Sequence, residues 1–202
     1  MFSSHEVPCH AALVSIELQT YGARKYPTSS LLRSSAGLGW STISAELRSH
    51  RVSETPVVVP LHTELMFAVS GNKDGLVRRT GAGQTQETIP RTGTIWLAPV
   101  GEHATVTAPL PELMHLYLPT TLFRRLADTS NLPGAPVPSI RYVADVLDEL
   151  IRQIALSIRS EMTNESAASQ MFVETASLTL AARLLHSYCD SGSVTRAAPP
   201  LA

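Results

Sequence analysis

Apolar residues recur along this chain with two different periods, and the switch between them divides it. Between Trp40 and Leu118 they alternate with polar residues or cluster in short runs bounded by glycine and proline. Beyond Pro119 they return every three or four positions. Alternation sends successive side chains to opposite faces of a strand, whereas the longer spacing gathers them on one face of a helix. The pattern predicts a small β-barrel followed by a helical unit.

Within the first region, Ile43, Ala45 and Leu47 alternate with Ser44, Glu46 and Arg48, which reads as a half-buried strand with its polar face in water. Residues 57–69 become apolar on both faces and predict a central strand broken at Pro60. A turn at 70–75 and a return over 76–80 predict its hairpin partner. Gly81-Ala82-Gly83 turns the chain into 84–89, and 95–98, 104–107 and 113–118 complete the sheet. The most distinctive stretch runs from Gly93 to His103: glycine, the strand Ile95-Trp96-Leu97-Ala98, then Pro99-Val100-Gly101. Glycine before a strand and proline with glycine after it are how a barrel turns a corner. Trp40, after Gly39, is expected to plug one end of that barrel.

The second region opens at Pro119 with a short helix carrying Leu122, Phe123 and Leu126, and Pro133, Pro136 and Pro138 enforce a loop. From Tyr142, Val143, Val146, Leu147, Leu150, Ile151, Ile154, Ala155 and Ile158 hold one stripe and predict a long amphipathic helix over 142–160. After a turn at Asn164-Glu165-Ser166, a second helix presents Met171, Phe172, Leu178, Ala181, Ala182 and Leu185. The two pack as an antiparallel hairpin in this reading. Four segments result: an irregular arm over 1–30 able to fold back over a pocket, a barrel over 31–118, a helical subdomain over 119–190, and a linker or tail over 191–202.

Composition narrows the function. At 202 residues, 44% hydrophobic and 16% charged, the chain supports one compact body. A formal charge of −1 and a pI near 6.7 leave no basic footprint for nucleic acid. Cys9 and Cys189 stand far apart without a CxxC spacing and read as thiols of a reducing compartment. The first residues lack a basic segment leading into an apolar run, and no apolar stretch approaches bilayer length, so a cytoplasmic protein with no membrane contact is expected. There is no Gly-x-Ser-x-Gly elbow, and Gly81-Ala82-Gly83 lacks the Lys-Ser/Thr of a phosphate loop. The chain is expected not to be an enzyme and to need no cofactor.

Four segments together resemble the amino-terminal sensor half of AraC/XylS-type bacterial transcription regulators. They are residues 34–47 around Gly37-Leu38-Gly39-Trp40, the corner at 93–101, the strand Leu113-Met114-His115-Leu116-Tyr117-Leu118-Pro119, and Ala181-Ala182-Arg183-Leu184-Leu185. The resemblance covers about residues 30–190 and implies a mainly β fold with helices: a cupin-like β-barrel that takes a small-molecule effector, followed by a helical hairpin that makes a homodimer. It also implies a separate helix-turn-helix domain for DNA. No such domain lies within residues 1–202, so direct operator binding by this chain is not expected.

Against that background, His62, Glu64, Trp96, His115 and Tyr117 are the candidate ligand-binding residues. Trp96 has an apolar body and one N–H donor for a flat or sugar-like effector, with plain core packing as the alternative. His115 and Tyr117 share a strand face and can offer hydrogen bonds inside the barrel. His62 and Glu64 read as pocket polar residues or as satisfied surface groups. Arg78 and Arg79 read as solvated edge charges, with pairing to an anionic effector as the other use. Leu147, Ile151, Ile154, Leu178 and Leu185 are the candidate dimer interface, because two amphipathic helices carry more stripe than one small barrel covers. The competing class is a small cupin metalloenzyme in which His62, Glu64 and His103 hold a divalent ion. That set is incomplete, since Glu64 stands where cupin enzymes carry a second histidine, so no metal is expected.

Overall fold

The structure, a computed structural model, describes residues 9–51, 53–54, 61–101, 103–129 and 139–189. Along the chain these form α1 (Cys9–Lys25), β1 (Ser30–Ser34), β2 (Ser44–His50), β3 (Ser53–Glu54), β4 (His62–Ala68), β5 (Val77–Gly81) and β6 (Gln84–Thr88). There follow β7 (Ile95–Ala98), β8 (His103–Thr107), β9 (Leu110–Pro119), α2 (Thr120–Thr129), β10 (Val143–Val146), α3 (Glu149–Thr163) and α4 (Ser169–Tyr188).

The strands make two antiparallel sheets, one in the order β1-β2-β9-β4-β7-β10 and one in the order β3-β8-β5-β6. The fold is therefore mainly β, two facing sheets followed by a helical hairpin, as the periodicity predicts. The Pro99-Val100-Gly101 corner carries the chain from β7 in the larger sheet to β8 in the smaller. Ala82 and Gly83, both at positive φ, close the tight hairpin between β5 and β6. The turn at 70–75 is a second corner rather than a hairpin, because β5 pairs with β6 and β8 while β4 pairs with β7 and β9. The Pro60 break expected in the central strand, the proline loop at 133–138 and the tail over 191–202 lie outside the described residues.

Every inner strand of the larger sheet is buried on both faces. Ala45, Leu47, Leu65, Phe67, Ile95, Leu97, Met114, Leu116 and Leu118 face outward and join Ile151, Ala155, Ile158, Val173, Leu180 and Leu184 of the hairpin in the main core. Trp40 belongs to that core with the helices and does not plug the barrel. The intervening residues face inward. At one end of the interior Met66, Ala68, Val77, Trp96, Leu110 and Leu113 form a small apolar core, and the other end is polar.

Three further expectations change. Val143 and Val146 form β10 on the edge of the larger sheet, so the long helix starts only at Glu149, where the Asp148 side chain accepts the Ile151 N–H at 3.2 Å. In α4 the buried stripe is Val173, Ala176, Ser177, Leu180, Ala181 and Leu184, leaving Met171, Phe172 and Ala182 exposed. Part of the expected irregular arm is helix α1, which buries Leu18, Tyr21, Gly22 and Lys25 at helical spacing. The carboxy-terminal end of α4 is tied back to the sheet: Ile140 bridges to Cys189, and Arg141 donates its backbone N–H to Tyr188 O at 2.7 Å and its guanidinium to Ser187 O at 2.8 Å. No helix among the described residues is long and apolar enough to cross a membrane.

Candidate functional site

The polar end of the interior is built by strand parity. β2 turns Ser44, Glu46, Arg48 and His50 inward, β4 turns His62 and Glu64, and β9 turns His115 and Tyr117. Register then sets Glu46 opposite His115, and Glu64 opposite Tyr117. All eight side chains are buried. From the other side α1 lowers Tyr21 and Lys25 onto them, followed by Tyr26. Gly22 makes this approach feasible: a Cβ there would lie 1.8 Å from Glu46 Oε2 and 2.7 Å from the Tyr117 hydroxyl.

Glu64 is the centre of the cluster. The Lys25 ammonium donates to Oε2, while the Tyr26 hydroxyl and His115 Nδ1 each lie 3.0 Å from Oε1. His50 Nε2 lies 3.0 Å from His115 Nε2, and His50 Nδ1 has no partner. One tautomer set satisfies this chain: His115 carries its proton on Nδ1 for Glu64 and accepts the His50 Nε2–H. Beside it, Arg48 Nε donates to Glu46 Oε2 at 2.7 Å, and its Nη1 reaches Tyr26 O at 3.2 Å and Ser29 Oγ at 2.8 Å.

Burial dominates the electrostatics. Desolvation pushes His50 down to about 3, helped by His115 and Arg48, and it also lowers His62 and His115. All three imidazoles are therefore neutral at pH 7. The Lys25 ammonium is pulled down by the same burial and held up by Glu64. Tyr21, Tyr26 and Tyr117 are pushed up, chiefly by burial and then by the Glu64 charge. Tyr117 Oη, Tyr21 Oη and both ring nitrogens of His62 are buried without hydrogen-bond partners, although water normally keeps such groups satisfied outside a protein.

The structure brings His62, Glu64, His115 and Tyr117 into this one cluster, with His62 set edge-on to Tyr21 at 5.5 Å. It keeps Trp96 in the apolar end, where its indole Nε1 has no partner. The side chain of His103 lies outside the described residues. Glu64 is engaged by Lys25, and among the described residues no three His, Cys, Asp or Glu side chains converge as metal ligands. Arg79 overturns its expectation as a solvated edge charge. It is buried, donates to Leu97 O at 2.8 Å and Val143 O at 3.2 Å, and lies 4.4 Å from the Tyr142 ring, bracing the two sheets. Arg78 is exposed and pairs with Glu87 at 2.5 Å. An open cavity of about 550 Å³ lies by the Pro99 corner, lined by Thr80, Ala82, Val100, Ala104 and Tyr142 rather than by the Glu64 cluster.

Of the candidate interface residues, Ile151 is in the main core and offers no surface. Leu147 is 65% exposed, and Ile154, Leu178 and Leu185 are partly buried against that core. Lys25, Tyr26, Glu46, Arg48 and His50 were not among the sequence candidates. The signal for Glu46 and Arg48 is present in the alternation of residues 43–48, whose polar face the pattern assigns to water and the structure turns inward.

Neither a family model nor a curated protein sequence matches the chain. Solved structures do resemble it. An RmlC-like cupin from Shewanella frigidimarina matches at 16% identity over 39% of this chain and 67% of its own, with a TM-score of 0.32. KdgF from a Halomonas species matches at 17% identity over 39% and 70%, with a TM-score of 0.32. The AraC-like transcriptional activator CuxR matches at 14% identity over 96% of this chain and 73% of its own, with a TM-score of 0.44. The structural neighbours of this chain thus include cupins and an AraC-like activator, all at low identity.

Proposed function

We propose that this chain is the effector-sensing and dimerisation module of an AraC-type transcription regulator. The barrel interior takes a small-molecule effector, the segment from α1 to Tyr26 reorders in response, and the helical hairpin joins two copies. The polar interior is the observation that carries this reading. Buried ion pairs add little stability over apolar filling, and the same sheet fills its outer face with apolar side chains. The cluster around Glu64 is therefore better suited to recognition than to folding. A segment docked on such a cluster gives two states, and a ligand that prefers one of them shifts the population.

The family is drawn from the four resembling segments. Leu150 and Phe172 are exposed on the hairpin and Leu147 just before it, and a groove of about 270 Å³ runs between α3 and α4 past Ile154, Ser157, Phe172 and Ala176. These residues supply the homodimer seam. In this reading the module is cytoplasmic, catalyses no reaction and needs no cofactor. Operator contact belongs to a helix-turn-helix domain outside residues 1–202.

Fusing the chain to a DNA-binding domain that must be paired to hold two half-sites tests this directly. Repression of a reporter is expected, and the double variant Ile154→Asp/Phe172→Asp should lose most of it. Repression no better than that of the unfused domain would refute the dimerisation role. The competing metalloenzyme with His62, Glu64 and His103 predicts near-stoichiometric iron, manganese or zinc in protein purified without chelator, and that result would displace the sensor reading.

A further inference from the structure

β10 is poorly seated in its sheet, yet it links two buried charged groups, Arg79 and Asp148. None of its four residues is fully buried. Three steps along it, from Val143 to Val146, match two along β7, from Leu97 to Ile95, so it carries a bulge. Asp145 takes up the surplus at φ +54°, a left-handed conformation that is unfavourable for a residue with a side chain. Its ion pair with Arg91, at 3.0 Å, is exposed and contributes little. A strand with little burial and a strained residue is the kind that opens before the rest of a domain.

On the interior side, Arg79 reaches across from β5 and donates to Leu97 O at 2.8 Å and to Val143 O at 3.2 Å. These carbonyls belong to the two residues paired just ahead of the bulge, so one guanidinium spans the joint between β7 and β10. Arg79 is 1% exposed and feels the charge of Glu64 across the interior. On the far side, two residues past β10, lies the buried Asp148. Its Oδ1 accepts the Ile151 N–H of α3, and its Oδ2 accepts Arg183 Nε at 3.0 Å and the Tyr188 hydroxyl at 2.9 Å from α4. Where β10 sits therefore sets where Asp148 meets the last turns of α4. We propose that β10 is a releasable strand coupling the barrel interior to α4: it leaves the sheet as a unit under the control of Arg79, and Asp148 carries the change to Arg183 and Tyr188. This coupling lies in the body of the chain and holds whatever the interior binds.

Residue-resolved hydrogen exchange of the full chain tests it. Arg79→Lys keeps a cation but loses the fork that spans two carbonyls. It is expected to speed exchange of the amides of Val143–Val146 and of Leu185–Tyr188 by the same factor, about tenfold, with the start of α4 around Phe172 unchanged. In an Asp148→Asn background the same change should still speed Val143–Val146 and no longer move Leu185–Tyr188, because the connection between them is cut. Asp145→Gly, which accepts the left-handed backbone freely, should slow both segments about threefold. Acceleration confined to Val143–Val146, or spread equally over both ends of α4, would overturn the proposal. If Arg79→Lys does not fold, Asp145→Gly decides: slowing of both segments supports the coupling, and no slowing, or slowing of Val143–Val146 alone, overturns it.

Discussion

The two faces of the six-stranded sheet are made by the same strands and solve opposite problems. Outward, Leu47, Leu65, Phe67, Leu97, Met114 and Leu116 close-pack against α3 and α4, and the energy comes from apolar area removed from water. Inward, one residue along each strand, Glu46, Arg48, Glu64, His115 and Tyr117 are equally buried but depend on exact partnering. Burial alone therefore does not separate structural from functional positions. The difference lies in what each face loses when a single side chain changes: a volume on one side, a charge balance on the other.

The largest expected effect breaks that contrast open. Glu64→Leu removes the carboxylate that Lys25 faces and should cost about 3–5 kcal/mol in chemical denaturation, and adding Lys25→Met should restore part of it, the lost hydrogen bonds of Tyr26 and His115 accounting for the remainder. Ile158→Ala, in the outer core, should cost about 2–5 kcal/mol, and neither of those changes should offset it. If the double variant is no better than Glu64→Leu alone, the inner face is held by shape rather than by charge.

Acid should attack the inner face first. His50 is pushed down to about 3 from an ordinary 6.5, so below pH 6.5 the unfolded chain binds a proton that the folded chain refuses, and stability falls with pH. Between pH 6.5 and 5 this amounts to about 2 kcal/mol for His50. His62 and His115, also lowered, act in the same direction. Melting temperature measured across that range should drop in the wild type and drop less in His50→Gln. A flat profile would mean that these rings are not neutral and dry.

The smallest effect compares two neighbours on β5. Arg78 faces solvent and Arg79 the interior. Arg78→Ala should change stability by under about 1 kcal/mol, because an exposed ion pair contributes little. Arg79→Ala should cost clearly more, by removing buried hydrogen bonds to Leu97 O and Val143 O. Equal costs would contradict the placement of the two side chains.

These contrasts also explain what could be read in advance. The strands of the barrel were legible because period-two alternation survives whichever face is polar. Which face is inside was not, and so Ser44, Glu46 and Arg48 read as solvent-facing when they line the interior. β10 was hidden because Val143 and Val146 stand three apart and continue the stripe of α3. The docking of α1 was hidden because Tyr21, Gly22 and Lys25 make a buried stripe of residue types that seldom compose one. His62, Glu64, His115 and Tyr117 were within reach because each lies on a strand the alternation had already located. Their partner Lys25 had no such cue.

The tie between Ile140 and Cys189, reinforced by Arg141, gives the barrel's outer edge a mechanical role. Three residues after Ile140 the chain is β10, whose Val143 carbonyl is gripped by Arg79 from within. The far end of α4 is therefore pinned next to the sheet edge instead of swinging from the tip of its own helix. Whatever displaces that edge strand carries the far end of α4 with it, as a hinge pin moves the door rather than the frame.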